Sequence, residues 1–231
     1  MSGSLAQNYA RVRQAVDQAC AAAGRGGSEV RLLPVSKTHP VEAIREVMAS
    51  GCAQFGENRV REMVGKAEEL PGASWVLVGH LQRNKVRVAC SVMGELQSLD
   101  SLSLASALEE HYATAYPEDR LRVLVEVNTS GEATKGGVAG CEVMGFTRSL
   151  RDYEHLDPHG LMTVAHPNPV LAEKGFEAMA DLRRQLRDRD GEGWEELSMG
   201  MSGDFEAAIA HGSTCVRIGT GIFGQRRLTR G

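Results

Sequence analysis

The sequence lacks the patterns that define several common classes of protein. Its five cysteines are scattered and form no C-x-x-C pair, which disfavours both a disulfide framework and a zinc site. No apolar run approaches the roughly 18 residues that cross a bilayer. The first residues also lack the basic-then-apolar order of a signal peptide. We therefore expect a cytoplasmic protein without a membrane segment or a bound metal.

An excess of charge of one sign is missing as well. The formal net charge is −4 and the pI is about 6.0, so the chain has no electrostatic preference for nucleic acid or anionic membrane. Its 231 residues are 42% hydrophobic, which permits a substantial core. We expect residues 1–231 to form a single domain, with residues 1–29 as an N-terminal helix and link.

Short apolar runs alternate with segments of helical spacing along the rest of the chain. The predicted strands are Val30–Val35, Gln54–Phe55, Trp75–Val78, Glu95–Leu99, Leu121–Val127, Gly160–Thr163, Glu196–Ser198 and Cys215–Ile218. The predicted helices are Leu5–Ala23, Val41–Ala49, Asn58–Leu70, Asn84–Cys90, Ser103–Ala115, Val138–Leu150, Pro169–Arg189 and Asp204–Ala210, with a short terminal piece from Ile222. Such alternation predicts a parallel sheet with right-handed helical crossovers.

Eight strand–helix units in a chain of this length favour an α/β fold, a single (β/α)8 TIM-like barrel with an extra N-terminal helix. A doubly wound open sheet is the main alternative. That fold places a glycine-rich turn after its first strand, whereas this chain has Ser36-Lys37-Thr38 there.

The carboxyl ends of three predicted strands carry residues suited to a phosphorylated ligand. Lys37 follows the first strand, Ser202 follows the seventh, and Gly219 and Thr220 follow the eighth. Closure of a barrel makes its first and eighth strands neighbours, so we expect these residues to face one pocket. Backbone N–H groups at strand-to-helix turns hold phosphate well, and Ser202 and Thr220 add hydroxyl donors.

An amine beside such a phosphate cradle predicts a phosphorylated aldehyde held as a Schiff base, and pyridoxal 5′-phosphate (PLP) is the candidate. Burial and a neighbouring positive charge make a lysine a better nucleophile, and we expect Arg217 to supply that charge. Taken singly, Lys37 is typical of a solvated surface residue, the Ser202 turn of a helix cap, and the Gly219-Thr220 turn of a barrel corner. Their convergence favours a binding site.

Longer stretches resemble the pyridoxal phosphate homeostasis protein family. The matching segments are Val35-Ser36-Lys37-Thr38, Phe55-Gly56-Glu57-Asn58-Arg59-Val60, Val78-Gly79-His80-Leu81-Gln82-Arg83-Asn84-Lys85, Glu126-Val127-Asn128 with Lys135-Gly136-Gly137, Gly160-Leu161-Met162-Thr163, Leu197-Ser198-Met199-Gly200-Met201-Ser202, Glu206-Ala207-Ala208-Ile209 and Val216-Arg217-Ile218-Gly219-Thr220. The resemblance extends from about Arg31 to Arg226. It implies a barrel similar to the N-terminal domain of bacterial alanine racemase.

The resemblance also implies a role for each residue of a cofactor site. Lys37 matches the lysine that forms the Schiff base, Ser202, Gly219 and Thr220 match phosphate-binding positions, Arg217 matches the arginine that faces the pyridine nitrogen, and Asn58 matches an asparagine close to the cofactor. A guanidinium cannot accept a proton from that nitrogen, and its charge weakens the cofactor as an electron sink.

The expected function is a PLP-binding protein of intracellular PLP homeostasis, which holds PLP as a Schiff base and supplies it to apo-enzymes without catalysing turnover. No catalytic residue is assigned, and a monomer or weak homodimer is expected. Lys135, in the loop after the fifth strand, is a hypothetical helper in receiving or releasing the cofactor.

Two enzymatic alternatives stay open. One is an amino-acid racemase-like PLP enzyme, which would need a second acid/base group such as a tyrosine, and a weak racemase-type activity is compatible with the site. The other is a Schiff-base aldolase that acts on a sugar phosphate.

Overall fold

A parallel sheet that curls round on itself lies at the centre of the computed structural model, which describes residues 4–132, 135–191 and 193–225. The strands in these residues are β1 (Arg31–Pro34), β2 (Gln54–Glu57), β3 (Ser74–Leu77), β4 (Met93–Leu99), β5 (Leu121–Asn128), β6 (Val138–Ala139), β7 (Leu156–Met162), β8 (Glu196–Ser198) and β9 (Cys215–Ile218). Their order is β1-β9-β8-β7-β5-β4-β3-β2, and β6 pairs with β5 off this path. This is the predicted (β/α)8 TIM-like barrel.

The two ends of this sheet meet between β1 and β2. A single parallel bridge joins Val35 to Gly56, and the N–H of Ser36 donates to the carbonyl of Gly56 at 3.0 Å. On its other side β1 pairs with β9 along its whole length. The first and last barrel strands are therefore neighbours, as closure requires.

Helices connect the strands and cover the outside of the barrel. They are α1 (Leu5–Ala22), α2 (Val41–Met48), α3 (Val60–Glu69), α4 (Val86–Cys90), α5 (Leu102–Ala115), α6 (Val143–Ser149), α7 (Pro169–Asp190), α8 (Phe205–Ala210) and α9 (Thr220–Phe223). A continuous apolar core that includes Ile44, Phe55, Trp75 and Phe176 lies between helices and sheet. Among the described residues, no helix combines the length and apolar character needed to cross a membrane.

The extra N-terminal helix packs along the outside of the barrel, against α2, α8 and α9. Ser4 caps it, because its hydroxyl accepts from the N–H of Gln7 while the Gln7 side chain accepts from the N–H of Ser4. The amide of Asn8 donates to the carbonyl of Ile222 at 3.0 Å. Helix α1 thereby fixes α9, the element that follows the last strand.

The segment after β5 differs from its prediction. A helix was expected from Val138, but Val138–Ala139 form strand β6, and helix α6 begins only at Val143. Gly137 has a φ of 104°, and a Cβ there would lie 2.7 Å from the backbone nitrogen of Asn128. This close approach brings the chain alongside β5, where β-branched Val138 pairs with Val127.

The barrel interior is layered from charged to apolar along its axis. Alternate residues of a strand share one face, and the guanidinium of Arg31 on β1 crosses the interior to Glu95 on β4 at 2.7 Å. Two residues further along β1, Leu33 contributes to a small apolar cluster with Val76 and Cys215. The charged layer is thus separated from the opposite, carboxyl end of the strands, where the connecting loops form a cavity.

Candidate functional site

All six sequence-predicted site residues line one cavity at the carboxyl end of the barrel strands. The cavity has a volume of about 370 Å³, and its walls include Lys37, Asn58, Ser202, Arg217, Gly219 and Thr220. Segments that are 165 residues or more apart in the chain, around Lys37 and around Ser202 and Gly219, therefore meet in space. The remaining walls come from Val35, Val78, Val164, Met201 and Gly203.

The loop that carries Lys37 is held on both sides by charged groups of α3. The buried ammonium of Lys66 donates to the carbonyl of Ser36 at 2.8 Å. The carboxylate of Glu62 accepts from the N–H of Thr38 at 2.5 Å. Thr38 itself has a φ of 66°, a left-handed conformation that costs free energy for a β-branched residue. The contacts with α3 offset that strain and fix the backbone of Lys37.

A buried ion pair supports this loop from below. The ammonium of Lys66 lies 2.6 Å from Glu57 Oε1, which also accepts from the hydroxyl of Ser36 at 2.6 Å. Glu57 is fully buried, and its Oε2 has no partner among the described residues. Burial raises the pKa of Glu57, and the nearby ammonium of Lys66 opposes that rise. The sequence did not predict this pair, although Glu57 ends β2 and Lys66 lies in α3, the strand and helix that flank the site.

The turns after β8 and β9 come together at the opposite wall. The hydroxyl of Ser202 accepts from the N–H of Gly221 at 3.3 Å, and the N–H of Met201 donates to Asp204 Oδ1 at 2.6 Å. Asp204 therefore ties its own loop together. In the part of the chain that the structure describes, the backbone N–H groups of Ser202, Gly203, Gly219 and Thr220, all in these turns and all lining the cavity, donate to no protein acceptor. Such a group of N–H donors is suited to an anion.

Arg217 forms the floor of the cavity. It is 5% exposed, and its guanidinium donates from Nη1 to the hydroxyl of Ser198 and from Nη2 to the carbonyl of Thr163, both at 2.7 Å. Burial lowers the pKa of Arg217 from its ordinary value, but an arginine starts so high that it stays charged. A fixed cation with remaining N–H donors therefore faces the cavity.

A chain of hydrogen bonds connects Arg217 to the charged layer of the interior. The hydroxyl of Ser198 donates a hydrogen bond to Gln97 Oε1 at 2.7 Å, and Gln97 Nε2 donates to Glu95 at 2.6 Å. Burial of Glu95 opposes its charge, but hydrogen bonds from Arg31 hold its pKa below the ordinary value. Every donor in this path of hydrogen bonds therefore points from Arg217 towards the Glu95 carboxylate. This direction fixes the orientation of the Gln97 amide.

Asn58 is positioned by a very close backbone approach. A Cβ added to Gly79 would lie 2.2 Å from the carbonyl oxygen of Asn58, so only glycine permits the loops after β2 and β3 to pack together here. Lys135, in contrast, is not among the residues that line the cavity, and its ammonium pairs with Glu132 at 3.0 Å.

Apolar residues at the mouth of the cavity were not predicted from the sequence. Val164 is 45% exposed and Met201 is 37% exposed, although both line the cavity. Together the walls combine an amine, a buried guanidinium, a group of N–H donors and valine surfaces. This set is complementary to a flat organic phosphate that carries a carbonyl group, and it fits PLP.

Comparisons with known proteins agree with this geometry. Residues 2–227 match the model of the family described as alanine racemase, N-terminal domain. The chain is 40% identical over 225 residues to the pyridoxal phosphate homeostasis protein of Pseudomonas aeruginosa, with 96% of each protein covered. It is 36% identical over 237 residues to the protein of the same name from Escherichia coli, with 98% of each covered.

Solved structures show the same likeness. PipY of Synechococcus elongatus, solved with PLP bound, superposes with a TM-score of 0.82 at 30% identity, over 95% of this chain and 100% of that one. Alanine racemase of Corynebacterium glutamicum shares the fold, with a TM-score of 0.72 at 17% identity, over 99% of this chain and 62% of that one. The chain therefore belongs to the alanine racemase N-terminal domain family, and within it to the pyridoxal phosphate homeostasis proteins.

Proposed function

We propose that this chain binds PLP in the cavity at the carboxyl end of the barrel, holds it there as a Schiff base on Lys37, and supplies it to apo-enzymes without catalysing turnover. The observation that carries the proposal is the convergence of Lys37, Arg217 and the turns at Ser202 and Gly219 on one cavity. The names of the relatives and the PLP-bound PipY structure support the choice of ligand.

Each wall has a distinct task in this proposal. The unpaired N–H groups around Ser202 and Gly219 would hold the phosphate, with hydroxyl donors from Ser202 and Thr220, and Asn58 would contact the cofactor. The amine of Lys37 would hold the aldehyde carbon through a C=N bond, with the carbonyl oxygen lost as water. PLP supplies an electrophilic aldehyde and an electron-withdrawing ring.

Arg217 favours storage over catalysis. Its guanidinium is held by Ser198 and Thr163, and it can donate to the pyridine nitrogen but cannot accept a proton from it. The ring is therefore a weaker electron sink than one with a protonated nitrogen. All four tyrosines of the chain, Tyr9, Tyr112, Tyr116 and Tyr153, are described, and none lines the cavity. The cavity walls of this chain therefore offer no tyrosine that could act as the second acid/base group of a racemase.

The test is covalent labelling of the purified protein. Incubation with PLP should give a visible absorption band, and borohydride should bleach it and leave one reduced pyridoxyl group on Lys37, found by peptide mass spectrometry. Lys37→Ala should abolish both, whereas Lys174→Ala, at an exposed lysine on α7, should change neither. Labelling of other lysines with Lys37 unmodified would contradict the proposal.

Turnover and supply need separate measurements. The loaded protein should leave the α-hydrogen of a panel of amino acids unexchanged with deuterium, and it should restore activity to an enzyme stripped of its PLP. Exchange at a rate comparable to that of a racemase would refute the non-catalytic assignment, even if Lys37 is labelled.

A further inference from the structure

A second, larger cavity lies beside the proposed cofactor site. It is an open groove of about 530 Å³ between the start of α3 and the segment that leads into α4. Asn58 lines both this groove and the cofactor cavity. Anything seated in the groove would therefore lie next to the site from which PLP leaves.

Most of the unpartnered cations of the described chain lie in the two segments that border the groove. Among the described arginines and lysines, the side chains with neither an ion pair nor a hydrogen bond are Arg59, Arg61, Arg83, Lys85, Arg87, Arg148 and Lys174. The first five lie at the start of α3 or between residues 83 and 87, and Arg59, Arg61 and Lys85 line the groove itself. The chain as a whole is acidic, with a net charge of −4, so this basic surface is local.

The floor between these cations is apolar. Val60 and Val64 lie one helical turn apart on α3, and Val88 on α4 completes the floor. Val88 is 47% exposed, which is unusual for a valine that has two helices nearby against which to pack. A floor of valines with a basic rim matches an amphipathic helix whose polar face is acidic.

Nucleic acid is a poorer match. No phenylalanine, tyrosine or tryptophan lines the groove among the described residues, so the imidazole of His80 is the one ring there on which a base could stack, and the acidic chain as a whole repels a polyanion. A protein helix needs only the local charge and the apolar floor.

We propose that this groove docks an acidic amphipathic helix of the protein that receives PLP, so that transfer occurs within a complex and not through free solution. The inference rests on the proposed function. It assigns the partner's chemistry and a place for it, adjacent to the cofactor site through Asn58. The cation rim steers the partner, and the valine floor holds it.

The test compares two charge reversals of equal size. Arg61→Glu combined with Lys85→Glu reverses two groove cations, and Arg148→Glu combined with Lys174→Glu reverses two exposed cations elsewhere. Both double variants change the net charge by the same amount. Each is loaded with PLP, mixed with PLP enzymes of several folds that have been stripped of cofactor, and followed by recovery of activity. A phosphatase that hydrolyses free PLP is present throughout.

With the wild-type protein we expect recovery despite the phosphatase, at a rate that falls as salt is raised. The groove variant should recover activity at least about tenfold more slowly, and the control variant within about twofold of wild type. Val88→Asp, a variant of an exposed position, should also slow transfer, because it places a carboxylate on the floor.

Several results would overturn the docking proposal. Equal rates for the two double variants would remove the groove from transfer, as would loss of all recovery when phosphatase is added, because transfer would then proceed through free PLP. Both outcomes leave the proposed function intact if every variant still loads PLP on Lys37. Failure to load PLP at all would remove both proposals. Groove-dependent retention of duplex nucleic acid, with unchanged transfer, would assign the surface to a different partner.

Discussion

The hydroxyl of Ser198 accepts a hydrogen bond from Arg217 at 2.7 Å and donates one to Gln97 at 2.7 Å. Its hydroxyl is the link between the cofactor cavity and the charged interior of the barrel. Glu95 accepts the last hydrogen bond of this path, from the Gln97 amide. The Gln97 oxygen therefore faces Ser198, and the serine lone pairs are held towards the guanidinium. The orientation of Arg217 thus depends on a carboxylate that does not touch the cavity.

Loss of this hydroxyl should weaken PLP binding. Ser198→Ala leaves a buried guanidinium N–H without its acceptor, at a cost of about 1–3 kcal/mol, and about 1.4 kcal/mol corresponds to tenfold in affinity. We expect the dissociation constant for PLP, measured by equilibrium dialysis, to rise about tenfold. Ser213→Ala is the control, because Ser213 is also buried but its hydroxyl bonds to backbone carbonyls only. Equal losses of affinity in both variants would point to general destabilisation.

The Glu57–Lys66 pair should be costly to break one residue at a time. Lys66→Met leaves the carboxylate of Glu57 buried without its cation, which should lower the free energy of unfolding by about 3–5 kcal/mol. Glu57→Gln combined with Lys66→Met removes both charges and should cost less than Lys66→Met alone. Urea denaturation measures all three proteins. A double variant less stable than the single one would contradict the buried-charge argument.

Two glycines should respond to alanine in opposite directions. Gly79→Ala places a Cβ 2.2 Å from the carbonyl oxygen of Asn58, so the loops must separate, and we expect a loss of about 1–3 kcal/mol. Gly65 lies inside α3 with nothing within 4 Å of an added Cβ. Gly65→Ala should therefore raise stability by about 0.5–1 kcal/mol. Thermal denaturation distinguishes the two, and similar shifts for both would refute the close approach.

Asp190, at the end of α7, should contribute to acid stability. Hydrogen bonds from Arg189 lower the pKa of Asp190 to about 2 from an ordinary value of 3.8, and the indole of Trp194 also donates to it. A lowered carboxyl pKa stabilises the fold above the unfolded value, and this stabilisation is lost as the pH falls from 3.8 towards about 2.

Asp190→Asn should consequently be less stable than wild type at neutral pH. The difference in the free energy of unfolding between the two proteins should shrink as the pH falls through that window. A difference that stays constant down to the acid end, in urea titrations at a series of pH values, would show that Asp190 does not titrate as described.

The sequence predicted the barrel and the location of the cavity because both depend on local signals. Apolar runs, helical spacing and small residues at strand ends are readable one segment at a time, and closure of the barrel then brings Lys37 and Gly219 together. The resemblance added Asn58, for which spacing gave no reason. The binding roles of the six residues stay predictions.

Other features depend on contacts between distant segments and could not be predicted. The path from Arg217 through Ser198 to Gln97 connects β9, β8 and β4, and its polar residues are indistinguishable in sequence from solvated ones. The sequence predicted a helix from Val138, whereas Val138 begins strand β6. That strand depends on its pairing with β5, a contact that the local sequence does not reveal.

The single bridge between Val35 and Gly56 leaves a lengthwise seam directly beneath Lys37. Strands β5 and β7, in contrast, pair over six registered positions. Amide hydrogens beside the seam, such as that of Ser36, should exchange with solvent deuterium sooner than those of Val125. The barrel can then open locally at the wall that carries the reactive amine while the wall formed by β5 and β7 keeps its pairing.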